Sequence, residues 1–138
     1  MDPPLAPTTR AKPRLRWIWP LAVAALIAFA SSRSHVAAPH IPNSDKVAHF
    51  LAFGLLATLM CRLGHRGRAA GWALLVTSAF GVSDEWHQSF VPGRTCDVFD
   101  WMADTLGATV AVGLYVGWPW YRTLLERAVW SHAQKNET

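Results

Sequence analysis

Acidic side chains are concentrated in one stretch of an otherwise apolar sequence. Residues 80–108 contain five of the nine acids, and Asp45 opens an earlier apolar segment with His49 one turn further on. Ionisable groups in apolar segments are expensive to bury and usually mark a functional site. The candidate binding residues are therefore Asp45, His49, Glu85, Gln88, Arg94, Asp97, Asp100 and Asp104.

Two kinds of role are open to these residues. A histidine held beside carboxylates can act as a general base, so His49, Glu85 and Asp100 are the candidate catalytic residues. The acids could instead form a network of salt bridges that only holds helices together, with Lys46 and Arg94 as counter-ions. Six acids against two bases and two histidines exceed what such a network needs, so we favour a ligand site.

A metal site is the less favoured interpretation of the same residues. His49, Glu85 and Asp100 could supply ligands, but the chain has no HExxH motif, no CxxC motif and no other recognised ligand spacing. We therefore expect neither a metal nor a cofactor. The sequence also lacks a nucleophile elbow and a phosphate-binding loop.

The composition is that of a membrane protein. Of the 138 residues, 51% are hydrophobic and only 16% are charged, and there are eight tryptophans. The formal net charge of +4 does not indicate nucleic-acid binding, because the basic residues flank apolar runs and form no stripe. We therefore expect the lipid bilayer as a partner and no nucleic acid.

Four apolar segments predict an all-α bundle of four transmembrane helices within residues 17–121. They are Trp17–Ala30, Asp45–Arg62, Trp72–Gln88 and approximately Asp97–Trp118. The Pro-rich, basic residues 1–16 are predicted to be a disordered cytoplasmic tail, and the polar residues 122–138 a second cytoplasmic tail. Between the last two segments, Pro92-Gly93 predicts a type II turn.

The first segment has two interpretations. Its roughly 14 residues make about 21 Å of helix, so it needs the following serines to cross about 30 Å of hydrocarbon. A basic start, a short apolar run and the small residues Ala28 and Ala30 are also typical of a cleaved signal peptide. Trp17 and Trp19 suit an interface anchor, so we expect the segment to be retained.

Basic residues indicate the orientation. The N-terminal tail carries four Lys or Arg residues, the connector Arg62–Gly71 three and the C-terminal tail three, whereas the other side carries three in all. Because the basic side faces the cytoplasm, both termini are predicted to be cytoplasmic. The candidate site then faces the extracytoplasmic side of a bacterial inner membrane.

Three spaced motifs resemble those of the VanZ-like membrane proteins. They are DKxxHF at 45–50, ExxQxFxPGR at 85–94 and DxxDxxxDxxGA at 97–108, and the resemblance covers about residues 40–115. It implies a four-helix bacterial membrane protein acting at the outer face, similar to a glycopeptide-resistance accessory protein linked to low-level teicoplanin resistance. Asp104 departs from the Asn expected in many members, which adds one acid to the site. The resemblance implies no particular reaction.

These observations lead to three functional hypotheses. The preferred one is a pocket that binds the polar or cationic group of an amphiphile at the outer leaflet, either a lipoglycopeptide or a cell-envelope lipid. The second is a membrane-embedded enzyme of lipid or cell-envelope chemistry. The third is an assembly factor whose polar cluster only holds its helices together. The sequence specifies neither the ligand nor the oligomeric state.

The predicted orientation can be tested on the two native cysteines. In intact spheroplasts, a membrane-impermeant maleimide should label Cys96, which lies in the outer loop, while Cys61 should react only after lysis. Labelling of Cys61 before lysis would reverse the orientation and move the candidate site to the cytoplasm.

Overall fold

The computed structural model describes residues 16–33, 44–64 and 66–125. They form four long helices, α1 (Ile18–Ser31), α2 (Ser44–Cys61), α3 (Arg66–Gln88) and α4 (Val98–Gly117), followed by a short helix α5 over residues 119–125. No described residue lies in a β-strand, so the all-α prediction is confirmed for them. Residues 1–15 of the predicted N-terminal tail and 126–138 of the C-terminal tail lie outside the described residues.

The predicted start of the third helix is wrong by six residues. α3 begins at Arg66 and not at Trp72, so the helix takes up six of the ten residues of the predicted connector Arg62–Gly71. These residues lack an apolar period, but Arg and Ala are strong helix formers and extend a helix without one. Residues 122–125 of the predicted polar tail are likewise helical, as part of α5.

The loop between α3 and α4 is formed by local turn and capping chemistry. The Arg94 N–H donates to the Val91 carbonyl over 3.0 Å, and Gly93 has a φ of 80°. This geometry confirms the type II turn, in which the third residue needs a positive φ. α4 then begins after Asp97, whose side chain accepts a hydrogen bond from the Phe99 N–H at 2.8 Å and so caps the helix.

The long helices alternate in direction. The Arg16 guanidinium at the start of α1 donates to the Arg62 carbonyl just after α2, so these two helices are antiparallel. Ser31 at the end of α1 reaches Asp84 in the last turns of α3, and Lys46 at the start of α2 reaches Asp97 before α4. α1 packs on α2 and α3, while α2, α3 and α4 all pack on one another.

The closest helix packing is between the parallel helices α2 and α4. A side chain added at Gly107 would collide with the backbone of Phe50, and one added at Gly54 would lie 3.2 Å from the Gly107 carbonyl oxygen. Small residues allow two helix backbones to approach in this way. The approach fixes the register between the first turns of α2 and those of α4.

Membrane crossing by all four long helices stays a prediction. Among the described helices, only α2 is both long enough and apolar enough to qualify alone as a span. α1 is apolar but has 14 residues, and a core helix or a signal sequence can also have such lengths and compositions. α3 and α4 have 23 and 20 residues, enough for about 30 Å, but include several acids.

The two cysteines differ in exposure, which affects the labelling experiment. Cys96 is exposed, whereas Cys61 is buried against Ala73 and Tyr115. Burial alone can protect Cys61 from a maleimide before lysis. Thr123→Cys, at an exposed position of α5 in a Cys61→Ala background, is therefore the better reporter for the predicted cytoplasmic side.

A matched pair of glycines in α4 tests the helix packing. Gly107→Ala should lower the free energy of unfolding by about 1–3 kcal/mol, because its methyl group forces the α4 backbone away from α2. Gly113→Ala meets nothing within 4 Å and should be neutral or gain up to about 1 kcal/mol from helix propensity. Denaturant unfolding in detergent measures both, and equal effects would contradict the close approach.

Candidate functional site

Polar side chains gather at one end of the bundle in two groups. The larger group, here called the acidic cluster, joins α2, the end of α3 and the start of α4. It consists of Lys46, His49, Glu85, Asp97, Asp100 and Asp104. The smaller group, the Asp84 cluster, joins α1 to α3 and consists of Ser31, Asp84 and Gln88.

Lys46 bridges α2 to the start of α4. Its Nζ donates to Asp97 Oδ2 at 2.9 Å and to Asp100 Oδ1 at 2.7 Å, and it lies 3.7 Å from Asp45 Oδ2. This ammonium, followed by the N–H of Phe99, lowers the pKa of the Asp97 carboxyl, which lies before α4, below its ordinary value. The lysine thus neutralises two of the acids and positions α4 against α2.

Glu85 is buried in the last turn of α3 and holds the loop that follows. Its Oε2 accepts a hydrogen bond from the Asp97 N–H at 2.8 Å, which fixes the residue that caps α4. Its other oxygen, Oε1, is buried and has no hydrogen-bond partner. A buried acceptor without a partner costs free energy, so this oxygen is a position where a ligand would be stabilised.

His49 pairs with the deepest acid. Its Nδ1 lies 2.9 Å from Asp104 Oδ1, and its ring stacks on Phe53 with an interplanar angle of 11°. Asp104 is completely buried, and its Oδ2 has no hydrogen-bond partner. The three helices α2, α3 and α4 therefore present an oriented imidazole beside two unsatisfied carboxylate oxygens, one from Asp104 and one from Glu85.

The acidic cluster has an outer and an inner part. The side chains of Lys46 and Asp97 remain 30% and 35% exposed. Together with Asp45, which adjoins the cluster and is 52% exposed, we call them the rim. His49, Glu85 and Asp104 lie deeper and form the floor, and Asp100 lies between the two parts. A ligand that approaches from outside would therefore meet the rim before the floor.

The Asp84 cluster is a separate hydrogen-bonded group. Asp84 Oδ2 accepts from the Ser31 hydroxyl at 2.7 Å and from the Gln88 amide at 2.9 Å. These bonds tie α1 to α3. Next to them, a shallow groove of about 350 Å³ runs between the two helices, lined by Ala28, Phe29, Ser32, Phe80, Ser83, Asp84 and His87.

Most of the predicted binding residues come together, with three exceptions. His49, Glu85, Asp97, Asp100 and Asp104 meet in the acidic cluster, while Asp45 lies at its exposed edge. Gln88 belongs instead to the Asp84 cluster. The expectation that Arg94 is a counter-ion is wrong for the described residues, where no ion pair joins it to a carboxylate and its buried Nε has no partner.

Three participants were not on the predicted list of site residues: Lys46, Asp84 and Ser31. Lys46 was expected only as a counter-ion, although its place one residue after Asp45 and one turn before His49 indicated the same helix end. Asp84, which precedes the predicted residue Glu85, is 3% exposed. Asp84 and Gln88 are four residues apart, and residues at this spacing are neighbours on a helix. The spacing could therefore have indicated that Asp84 lies beside the predicted residue Gln88.

His49 forms a compact group with Glu85 and Asp104. One nitrogen of His49 and one carboxylate oxygen each from Glu85 and Asp104 lie within 4.8 Å of one another. In the sequence-based set the third residue was Asp100, which is instead engaged by Lys46. Asp104 takes the place of Asp100 beside His49 because of the register in which α4 packs on α2.

Comparisons with known proteins agree with the sequence motifs. The family model described as VanZ/LLP1 matches residues 7–122, which confirms the resemblance. The chain is also similar to an uncharacterised protein of Schizosaccharomyces pombe, with 38% identity over 79 residues, or 55% of this chain. The match spans about half the length (49%) of that curated relative. No solved structure matches.

The bridge formed by Lys46 can be tested by a double-mutant cycle. Lys46→Met and Asp100→Asn should each destabilise the protein but together cost less than their sum, with a coupling of about 0.5 kcal/mol or more. Lys46→Met combined with Ser78→Ala is the control, because Ser78 bonds to Thr105 and Trp101 instead. Additivity in the first pair, measured by unfolding in detergent, would rule out the bridge.

Proposed function

The chain belongs to the VanZ/LLP1 family, and from that premise we propose that it is an integral membrane protein that binds the headgroup of an amphiphile in its acidic cluster. In this proposal the four long helices cross the bilayer. One observation carries it: charged side chains are buried inside the bundle, while large apolar side chains cover its outside.

This distribution is unfavourable in water and favourable in hydrocarbon. Asp84, Glu85, Asp100 and Asp104 are all at most 7% exposed. Every long helix, in contrast, exposes large apolar side chains, among them Leu21, Leu26, Leu51, Leu55, Leu75, Val82, Leu106 and Val110. Large apolar surfaces mark contact with a membrane or a partner, and intramembrane acids face the bundle interior.

Exposed tryptophans support the same placement. They are found at both ends of the bundle, as expected of aromatic belts at the two membrane interfaces. Trp86 lies at the end that carries the acidic cluster. The opposite end carries Trp17, Trp19, Trp72, Trp118 and Trp120.

The proposed orientation has both termini in the cytoplasm of a bacterial cell and the acidic cluster on the extracytoplasmic side of its inner membrane. Basic residues support it, because Arg16 and Arg62 meet at the end opposite to the acidic cluster, and Arg68 lies in the first turn of α3. Cationic residues are retained on the cytoplasmic side of multi-pass proteins.

The charge of the acidic cluster favours a headgroup with an ammonium or with N–H donors. Its acids outnumber its bases, since Lys46 already serves two carboxylates and Arg94 pairs with none among the described residues. The partly exposed Asp45 and Asp97 at the rim would meet the headgroup first. The groove beside Phe29 and Phe80 offers an apolar surface to an acyl chain.

Two amphiphile classes fit this chemistry. The resemblance to a glycopeptide-resistance accessory protein suggests teicoplanin, which would give the protein a part in antibiotic resistance at the cell envelope. The relative in fission yeast favours instead a membrane lipid that both kinds of cell contain. We therefore place an amine-bearing lipid first and teicoplanin second.

A second candidate function is catalysis on such a lipid. The hydrogen bond of 2.9 Å between His49 and Asp104 favours it, because a carboxylate that orients an imidazole prepares it as a general base. Glu85 would be the acid or a second orienting group. Catalysis would involve the floor residues alone, whereas headgroup binding would involve the rim residues as well.

Native mass spectrometry can test the proposed headgroup site. Wild-type protein in nanodiscs, extracted gently, should retain phosphatidylethanolamine in preference to phosphatidylglycerol. The double variant Asp45→Asn, Asp97→Asn should retain at least about tenfold less phosphatidylethanolamine, because the loss of even one charge-assisted hydrogen bond costs about 1.5–3 kcal/mol and ~1.4 kcal/mol corresponds to a factor of ten. Asn at position 97 can still cap α4.

Controls separate the two parts of the proposal. Glu126→Gln removes a negative charge elsewhere in the chain and should leave retention unchanged. Equal retention of both lipids, or no loss in the double variant, would overturn the headgroup site.

Release of the protein from membranes by alkaline carbonate would overturn the membrane-spanning bundle itself. Teicoplanin susceptibility of cells that express the wild type or the double variant tests the second ligand.

A further inference from the structure

We propose that His49, Glu85 and Asp104 bind one divalent transition-metal ion, of the class of Zn²⁺ or Mn²⁺, at the floor of the acidic cluster. The inference goes beyond headgroup binding and does not depend on it. It reverses the expectation of no metal that the ligand spacing in the sequence suggested.

The three side chains converge from three helices. One ligand atom from each lies within 4.8 Å of the others, and His49 Nδ1 is 2.9 Å from Asp104 Oδ1. With metal–ligand bonds of about 2.0–2.2 Å, neighbouring ligands of one ion are ~3–3.5 Å apart. Small side-chain rotations would therefore bring all three residues into one coordination sphere.

The second observation is a pair of buried oxygens without partners. Glu85 is 3% exposed and Asp104 is fully buried, and each has one carboxylate oxygen that no described group satisfies. Asp104 Oδ2 points toward α3 at Gly81, one turn before Glu85, where an added Cβ would lie 2.9 Å from it. A bound cation would satisfy both oxygens at once.

The cluster offers no other cation for these acids. Lys46 is engaged by Asp97 and Asp100, and no ion pair within the described residues involves Arg94. His49 alone neutralises at most one of the two floor carboxylates. A divalent ion held by two carboxylates and a neutral imidazole gives a site without net charge, which reduces the cost of burial.

The donor set selects the class of metal. An imidazole nitrogen with two carboxylate oxygens suits zinc, manganese or iron(II), whereas Ca²⁺ and Mg²⁺ prefer oxygen ligands alone. Stacking on Phe53 restrains the His49 ring, as the surroundings of ligating histidines usually do. Three protein ligands also leave coordination positions open.

The test measures metal binding in detergent, without added lipid, so that it is independent of headgroup binding. Protein treated with EDTA and then desalted should take up one equivalent of Zn²⁺ or Mn²⁺ in isothermal titration, and the ion should raise its Tm. Ca²⁺ should do neither. Asp104→Asn and Glu85→Gln, which keep size and shape, should weaken the apparent affinity at least about tenfold.

Ser78→Ala is the control. It removes a hydroxyl that joins α3 to α4 through Thr105 and Trp101, outside the acidic cluster, and should leave metal affinity within about twofold of the wild type. The proposal is overturned if the wild type binds neither ion, if Asp104→Asn binds as well as the wild type, or if Ser78→Ala loses as much as Asp104→Asn. Should a floor variant fail to fold, wild-type stoichiometry and the contrast with Ca²⁺ still decide the question.

Discussion

The close, parallel packing of α2 on α4 is the constraint on which the rest of the structure depends. Because the Gly107 backbone lies against that of Phe50, the two helices are near enough for side chains of ordinary length to meet in pairs. Lys46 then reaches Asp100, and His49 reaches Asp104, with sequence offsets of 54 and 55 residues. A larger residue at position 107 would separate the helices and lengthen both contacts.

α3 completes this arrangement from its C-terminal end. The Glu85 carboxylate accepts a hydrogen bond from the Asp97 N–H. One side chain thus connects the last turn of α3 to the residue that caps α4. The type II turn at Pro92-Gly93 reverses the chain between them. The loop is thus positioned by a buried acid, and the same acid contributes its second oxygen to the floor.

Local patterns predicted the helices, the turn and the gathering of acids at one end, because apolar segments and Pro-Gly chemistry act over a few residues. They did not predict the individual partners. Asp84 and Glu85 are adjacent in sequence but point about 100° apart on a helix, and they enter different clusters. Whether Asp100 or Asp104 meets His49 depends on an offset of about one turn between two helices, which tertiary packing sets.

The distribution of satisfied and unsatisfied groups distinguishes a site from a scaffold. The Asp84 cluster and the Lys46 bridge account for helix assembly, since their members satisfy one another. The floor residues do not satisfy one another, because one buried oxygen each of Glu85 and Asp104 has no hydrogen-bond partner. Each such oxygen costs about 1–3 kcal/mol, and a network that served only assembly would gain nothing from it. A role in holding helices together therefore explains the periphery of the polar end, and the two unpaired oxygens at its centre support the proposed ligand site.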